Sequence, residues 1–327
     1  MRKLFNLTLA VGLVAVLASC EKEEKPYTLP DPGPAKLDKV NMGPDYSKVI
    51  FYNLNTQTAT VKSLGDWDLA FDATTKGIHA LMNGGKGVQI AAMGDTTFEQ
   101  AYDISKANWK WDPTTFNLDS TAIGEWSSED YLVTGEVYLL DRSEKANEEQ
   151  YKKLKLISVS DEAYVLRCSN LDGSDDFYFT VTKDPQFNFI YLHLDKGVLA
   201  DFEPPKDQWD FMFVRYRYVY YDMQPIVPYE VNGVILNPNK VEVADSRTIA
   251  FEDMDIDSAM NLDYTNRRDF IGWDWKFYDF DAEAYVTDIK RVFVIKSHTD
   301  LYFKLRFIDF YDESGVKGAP SFELQRL

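Results

Sequence analysis

The chain has 327 residues, 45% of them hydrophobic, with 21 Phe and 20 Tyr, which excludes an intrinsically disordered protein. Its 53 Asp and Glu outnumber its 35 Lys and Arg, for a formal charge of −18. That balance excludes nucleic acid as a partner, because such binding rests on basic side chains neutralising phosphates. It also disfavours adhesion to anionic lipid headgroups by charge.

The first element is an export signal. Arg2 and Lys3 precede an apolar run from Leu4 through Val16, and Leu17-Ala18-Ser19-Cys20 follows. Residues 1–19 read as a signal peptide, since the run falls short of the about 20 apolar residues that span a bilayer. The Leu-Ala-Ser-Cys ending resembles the lipobox of bacterial lipoproteins, in which the cysteine, here Cys20, is acylated and freed by cleavage. Lys22-Glu23-Glu24 resembles the signal that sends some lipoproteins to the outer face of the outer membrane. The expected partner at this end is therefore outer-membrane lipid, held through acylated Cys20. Residues 20–39 read as the lipidated cysteine and a flexible linker, stiffened by Pro26, Pro30, Pro32 and Pro34. Loss of residues 1–19 removes Arg2 and Lys3 and takes the charge from −18 to −20. With Cys20 held by lipid, Cys168 has no partner for an intrachain disulfide, and Tyr164-Val165-Leu166-Arg167-Cys168 predicts a buried strand position for it.

Beyond the linker the pattern is β almost throughout. Val49–Leu54, Val137–Leu140, Leu154–Val159, Phe177–Val181, Phe211–Tyr221, Val292–Ile295 and Phe303–Phe310 are β-branched and aromatic runs bounded by turn residues. Alternation in Lys304-Leu305-Arg306-Phe307 predicts Lys304 and Arg306 in solvent and Leu305 and Phe307 in a core. Tyr216, Tyr218 and Tyr220 fall on one face of their strand. Helix signals are few: Asn147 to Lys153 suits one turn, and Phe251 to Met260, with Asp253, Asp255 and Asp257, suits a loop. The glycines of Met82-Asn83-Gly84-Gly85-Lys86-Gly87 predict a turn at positive φ. No helix start or Lys-Ser/Thr follows them, so this is not a phosphate loop.

Segments of the two halves answer one another. Asp66-Trp67-Asp68-Leu69-Ala70-Phe71 matches Gln208-Trp209-Asp210-Phe211-Met212-Phe213, with the tryptophans 142 positions apart. In the same order, Val49–Leu54 matches Phe189–Leu194, and Thr97-Phe98-Glu99 matches Ala250-Phe251-Glu252. Val137–Leu140 matches Val292–Ile295, and Tyr151–Ile157 matches Tyr302–Ile308. The expectation is an all-β protein with two tandem antiparallel β-sheet domains, residues 40–184 and 185–327. Lys183-Asp184-Pro185 marks the break, and Trp67 and Trp209 anchor equivalent cores.

Catalytic patterns are absent. His79, His193 and His298 have no second His or Cys at metal-ligand spacing, and no serine sits in a Gly-x-Ser-x-Gly context. Glu252-Asp253-Met254-Asp255-Ile256-Asp257 lacks the glycine and terminal glutamate of an EF-hand and reads as a solvated loop. His298 reads as an exposed turn residue and His193 as a half-buried strand position. These features point to a binding protein and not an enzyme.

The ordered set resembles the HmuY family, surface lipoproteins that capture haem for a TonB-dependent receptor. The resemblance rests on the Trp-Asp strand, the Gly-rich turn 83–87 and Thr-Phe-Glu. It continues in Arg291-Val292-Phe293-Val294-Ile295, Tyr302–Tyr311 and the ending Gly318-Ala319-Pro320-Ser321-Phe322-Glu323. It implies an all-β fold with a haem clamp between loops, haem as cofactor and such a receptor as partner. Family members use histidine or methionine axial ligands from the segment before the Val-Phe-Val-Ile strand. Here that segment holds no histidine in either half, and in the second it holds Met254, Met260 and Tyr278. Thioether and tyrosinate both ligate haem iron, so these three are the candidate ligands. The alternative is a scaffold that has lost haem and offers aromatic strands such as 216–221 to a protein or glycan.

Overall fold

The computed structural model describes residues 32–94, 96–114, 116–143, 149–199 and 201–327. The signal peptide and Cys20 lie outside the described residues, and residues 33–327 form one unit. In chain order its strands are β1 (Lys36–Lys39), β2 (Lys48–Asn53), β3 (Thr58–Ser63), β4 (Leu69–Asp72), β5 (Ala80–Met82), β6 (Gln89–Ala92), β7 (Val137–Asp141), β8 (Tyr151–Val159) and β9 (Ala163–Asn170). The chain continues through β10 (Phe177–Thr182), which ends the first half, and then β11 (Phe189–His193), β12 (Gly197–Leu199), β13 (Phe211–Tyr220), β14 (Val227–Leu236) and β15 (Glu242–Ser246). It ends with β16 (Lys276–Asp279), β17 (Ala284–Thr287), β18 (Val292–Lys296), β19 (Tyr302–Tyr311) and β20 (Lys317–Arg326). One short helix, α1 (Ile256–Met260), follows β15.

The strands make two inner four-stranded sheets, β3-β2-β13-β14 and β12-β11-β4-β5. Two outer five-stranded sheets follow, β1-β20-β19-β18-β15 and β10-β9-β8-β7-β6, and β16-β17 is a separate hairpin. Three apolar layers separate the four sheets. Phe51, Tyr191, Trp209 and Met212 fill the layer between the inner sheets, with Trp67 packed against it. Tyr52, Phe211, Phe293 and Phe307 fill one outer layer, and Phe71, Tyr138, Leu154 and Leu192 the other. Inner strands are covered on both faces, so they read as unbroken apolar runs, Leu-Ala-Phe in β4 and Phe-Ile-Tyr-Leu in β11.

Neither half closes on itself. β2 of the first half pairs with β13 of the second, and β11 of the second pairs with β4 of the first. The exchange extends outward on one side, where β1 pairs with β20; on the other, β10 pairs with β9 within the first half. The expected boundary at 184/185 falls between β10 and β11, and the sheets are built across it. The matched segments nevertheless make matched bonds. The amide of Asp68 donates to Leu192 O at 2.8 Å, as that of Asp210 does to Tyr52 O at 2.8 Å. Asn83 Nδ2 donates to Trp67 O at 2.9 Å, and Asn237 Nδ2 to Trp209 O at 2.6 Å. Trp67 meets Tyr191 edge-on with centroids 5.1 Å apart, and Trp209 meets Phe51 likewise at 5.0 Å.

All seven expected strand segments are strands, within a residue or a few at their ends. Cys168 is buried in β9, and burial pushes its thiol up to about 12. At Gly85, in the Gly-rich turn, a Cβ would lie 2.0 Å from Arg215 O, so β13 approaches too closely for any side chain there.

Several expectations are corrected. The last four linker residues, Lys36–Lys39, are strand β1, laid along the edge of β20. Lys304 is buried: its ammonium lies over the Phe251 ring, 4.8 Å from the centroid, and donates to Phe251 O and Met254 O at 2.7 and 2.9 Å. Lys153 does the same in the first half, donating to Phe98 O at 3.0 Å. Part of the expected acidic loop is α1, capped by the Asp255 carboxylate, which accepts from the Ser258 amide at 2.8 Å. His298 is not exposed, because Asp210 draws it inward, with Nδ1 2.7 Å from Oδ1. His193 is fully buried. Of the turn expected at 147–153, residues 147 and 148 lie outside the described residues and 151–153 belong to β8.

Candidate functional site

The segment linking β15 to β18 carries the three candidate ligands, and the fold places them differently. Met254 is 1% exposed and packs with Phe251, Val292 and Val294 in a small core cluster. There it fills space beneath α1, which is a packing role and leaves its sulfur without access to a ligand. Met260 ends α1 and is 62% exposed. Tyr278 lies on β16 and is 42% exposed, with its ring 5.2 Å from Phe280 and 5.3 Å from Tyr285. Phe280, at the hairpin turn, is 85% exposed, and Phe277 beside it is exposed too. The hairpin thus presents aromatic rings to solvent around a phenol.

The residues just before the hairpin wall a cavity of about 350 Å³. Tyr218 and Trp273 form one side, with centroids 5.4 Å apart, and Tyr220 stacks edge-on against Tyr218 at 4.8 Å. Of the three tyrosines expected on one face, Tyr216 and Tyr218 line the cavity and Tyr220 packs beside them. Arg267, Asp269, Asp274 and Arg291 supply its charge. Arg291 Nε donates to Asp245 Oδ2 at 2.6 Å and its Nη1 to Asp274 Oδ1 at 3.0 Å. Asp269 Oδ1 is buried and faces Arg267 Nε at 3.1 Å, but it accepts no hydrogen bond. Burial raises the pKa of this carboxyl.

Two glycines hold the wall in place. Val234 N donates to Gly272 O at 2.8 Å and Gly272 N to Val234 O at 3.1 Å, joining the wall to β14. A Cβ on Gly233 would stand 2.1 Å from Gly272 O, and Gly272 itself has φ +58°. Only glycines permit this approach. Next along, Lys276 Nζ donates to Asn232 O at 2.9 Å and lies 4.3 Å from the Trp275 ring centroid. Burial pulls this amine down to about 7.

A second cavity, of about 440 Å³, lies in the first half beside His79, Asp119, Glu125 and Glu129. It has no Phe, Tyr or Trp wall. Among the described residues, no group of three or more His, Cys, Asp or Glu stands where it could hold a metal ion. The aromatic density of 216–221 marked this strand as a surface for a protein or glycan, without indicating a cavity. Trp273, Asp269 and Arg291 did not stand out, since single residues brought together by a β14 contact leave no local pattern.

The HmuY protein family matches this chain over residues 45–324, across both halves. Among solved structures, apo PinO from Porphyromonas gingivitis is 12% identical, with a TM-score of 0.30 over 90% of this chain and 98% of that one. The apo HmuY analog of Tannerella forsythia is 12% identical, with a TM-score of 0.27 over 91% and 98%. No curated protein sequence matches. By the extent of the family match, this all-β chain belongs to the HmuY family.

Proposed function

We propose that this protein is a surface-exposed outer-membrane lipoprotein of the HmuY type, which captures haem or another porphyrin and passes it to a TonB-dependent receptor. The observation that carries the reading is the family match over residues 45–324. Binding, not catalysis, is its work. Cys20 would carry the lipid anchor; among the described residues no helix is long and apolar enough to cross a membrane.

The aromatic residues of the β16–β17 hairpin support a porphyrin reading there, with Tyr278 as the candidate donor. On the hairpin, Tyr278 offers a solvent-accessible phenol, and Phe277 and Phe280 expose rings that a macrocycle would cover; Met260 offers its exposed thioether separately, at the end of α1. Haem, when bound, would supply an iron centre that thioether and phenolate donors can ligate. Met254 does not fit, because its sulfur is enclosed by Phe251 and the β18 valines. A haemin titration followed in the Soret region tests the reading.

A further inference from the structure

The cavity beside the hairpin has a chemistry of its own. Its lining contains no His, Met or Cys, and of the side chains that ligate haem iron it holds only tyrosines, among them Tyr218 packed against Trp273 in the wall. Arg267 and Arg291 are matched by Asp269 and Asp274, and Arg291 is further engaged by Asp245. The lining is thus charge-balanced, and a porphyrin's two carboxylates would find no surplus of positive charge. A neutral ligand loses nothing there.

We propose that this cavity binds a neutral saccharide, its ring stacked on Trp273 and Tyr218 and its hydroxyls bonded by Asp269, Asp274, Arg267 and Arg291. The indole and phenol present π faces whose negative potential suits the C–H side of a sugar ring. Sugar hydroxyls both donate and accept, so they can bridge a guanidinium and a carboxylate that are already paired. Asp269 supplies the strongest single indication. Its Oδ1 is ion-paired with Arg267 Nε at 3.1 Å but has no well-aligned hydrogen bond, so it keeps acceptor capacity for a hydroxyl. A hydroxyl donor entering the cavity would satisfy it.

The site is also built before any ligand arrives. Gly272 is fixed to β14 by its two backbone bonds, Asp274 by Arg291, and the Val219 amide by Thr114 Oγ1 at 2.9 Å. Walls held by backbone contacts and part-exposed ion pairs lose less freedom on binding than free side chains do. The proposal is independent of the haem reading, which concerns the hairpin face.

Its test is a titration of purified residues 21–327 with glucose, galactose, mannose, N-acetylglucosamine, cellobiose and lactose, with glucuronate as the anionic comparator. Tryptophan fluorescence and calorimetry report binding, and near-ultraviolet circular dichroism reports the fold. At least one neutral saccharide should bind saturably in the millimolar range or tighter, and more tightly than glucuronate. Asp269→Asn, which keeps the side-chain shape, should weaken it about tenfold, the loss of one hydrogen bond to a charged acceptor. Trp273→Ala should abolish it, and Trp273→Phe should restore part of it. Absence of binding across the whole set overturns the proposal. So does binding that both folded variants leave unchanged. Saccharide binding without a haemin response would remove the haem reading alone, and the reverse pattern would remove this one alone.

Discussion

Asp68 and Asp210 each fasten the other half of the chain: Asp68 Oδ2 accepts from the Leu194 amide at 2.9 Å, and Asp210 Oδ2 from the Leu54 amide at 2.7 Å. Both carboxylates are fully buried, yet their counter-charges differ. Asp68 meets Arg142 Nη2 at 2.9 Å and Lys86 Nζ at 2.8 Å, whereas Asp210 meets His298. Burial works to raise the pKa of Asp68, but the charges of Arg142 and Lys86 and the hydrogen bonds from Arg142 and Leu194 outweigh it and hold the carboxyl below its ordinary value.

The two positions should therefore respond unequally to substitution. Asp68→Ala would leave the buried Arg142 side chain with the part-exposed Asp195 as its carboxylate, at a cost of about 3 kcal/mol or more. Asp210→Ala removes bonds to the Leu54 amide and to His298, which can become neutral, for about 1–3 kcal/mol. Urea midpoints of the two variants should be displaced in that order.

His298 makes the second-half pair sensitive to pH. The hydrogen bond to Asp210 raises its pKa above 6.5. The folded state thus holds the proton more tightly than the unfolded chain does. The pair's contribution is complete below about pH 6.5 and is lost as pH rises through the folded value. Unfolding midpoints of the wild type should fall relative to His298→Gln on going from slightly acidic to alkaline buffer. Parallel curves would show that the pair is not charged.

Lys276 gives the opposite slope. In the first half, Ile78 O accepts from the Trp126 indole at 2.6 Å; in the second, Asn232 O accepts from the Lys276 amine. Burial pulls this amine from 10.5 to about 7, so the unfolded chain binds its proton more tightly. Stability should rise between pH 7 and pH 10.5 relative to Lys276→Met, whose curve lacks this component. At or below pH 7 the methionine variant should be the more stable, since it carries no buried ammonium.

Most of the framework was legible beforehand, and the reasons are local. Continuous apolar runs such as Phe189–Leu192 and alternating ones such as Lys304–Phe307 reflect burial on two faces or one. The exchange of strands left no trace, because β2 would read identically whether it paired within its own half or with β13. Lys304 and His298 were misread for a related reason: their partners, the Phe251 carbonyl and Asp210, lie far away in sequence. Asp255 and Ser258 did carry the α1 cap within four residues, a signal that the surrounding acidic residues masked. Of the candidate ligands, the segment was identified from resemblance, but only packing separates Met254 from Met260.

Membrane anchoring should depend on a single sulfur. Cys20→Ser should release the protein from the membrane fraction, because stable anchoring requires the acyl chains. On whole cells, added protease should cleave the wild type if the protein faces outward. Protection in intact cells would place it on the inner face.

Haem capture is the central claim, and spectroscopy reaches it most directly. Purified residues 21–327 are titrated with haemin, in ferric form and after dithionite reduction. The account predicts a Soret shift that saturates at one equivalent, with visible bands altered by Met260→Ala and by Tyr278→Phe. A spectrum that stays that of free haemin in both oxidation states would contradict it.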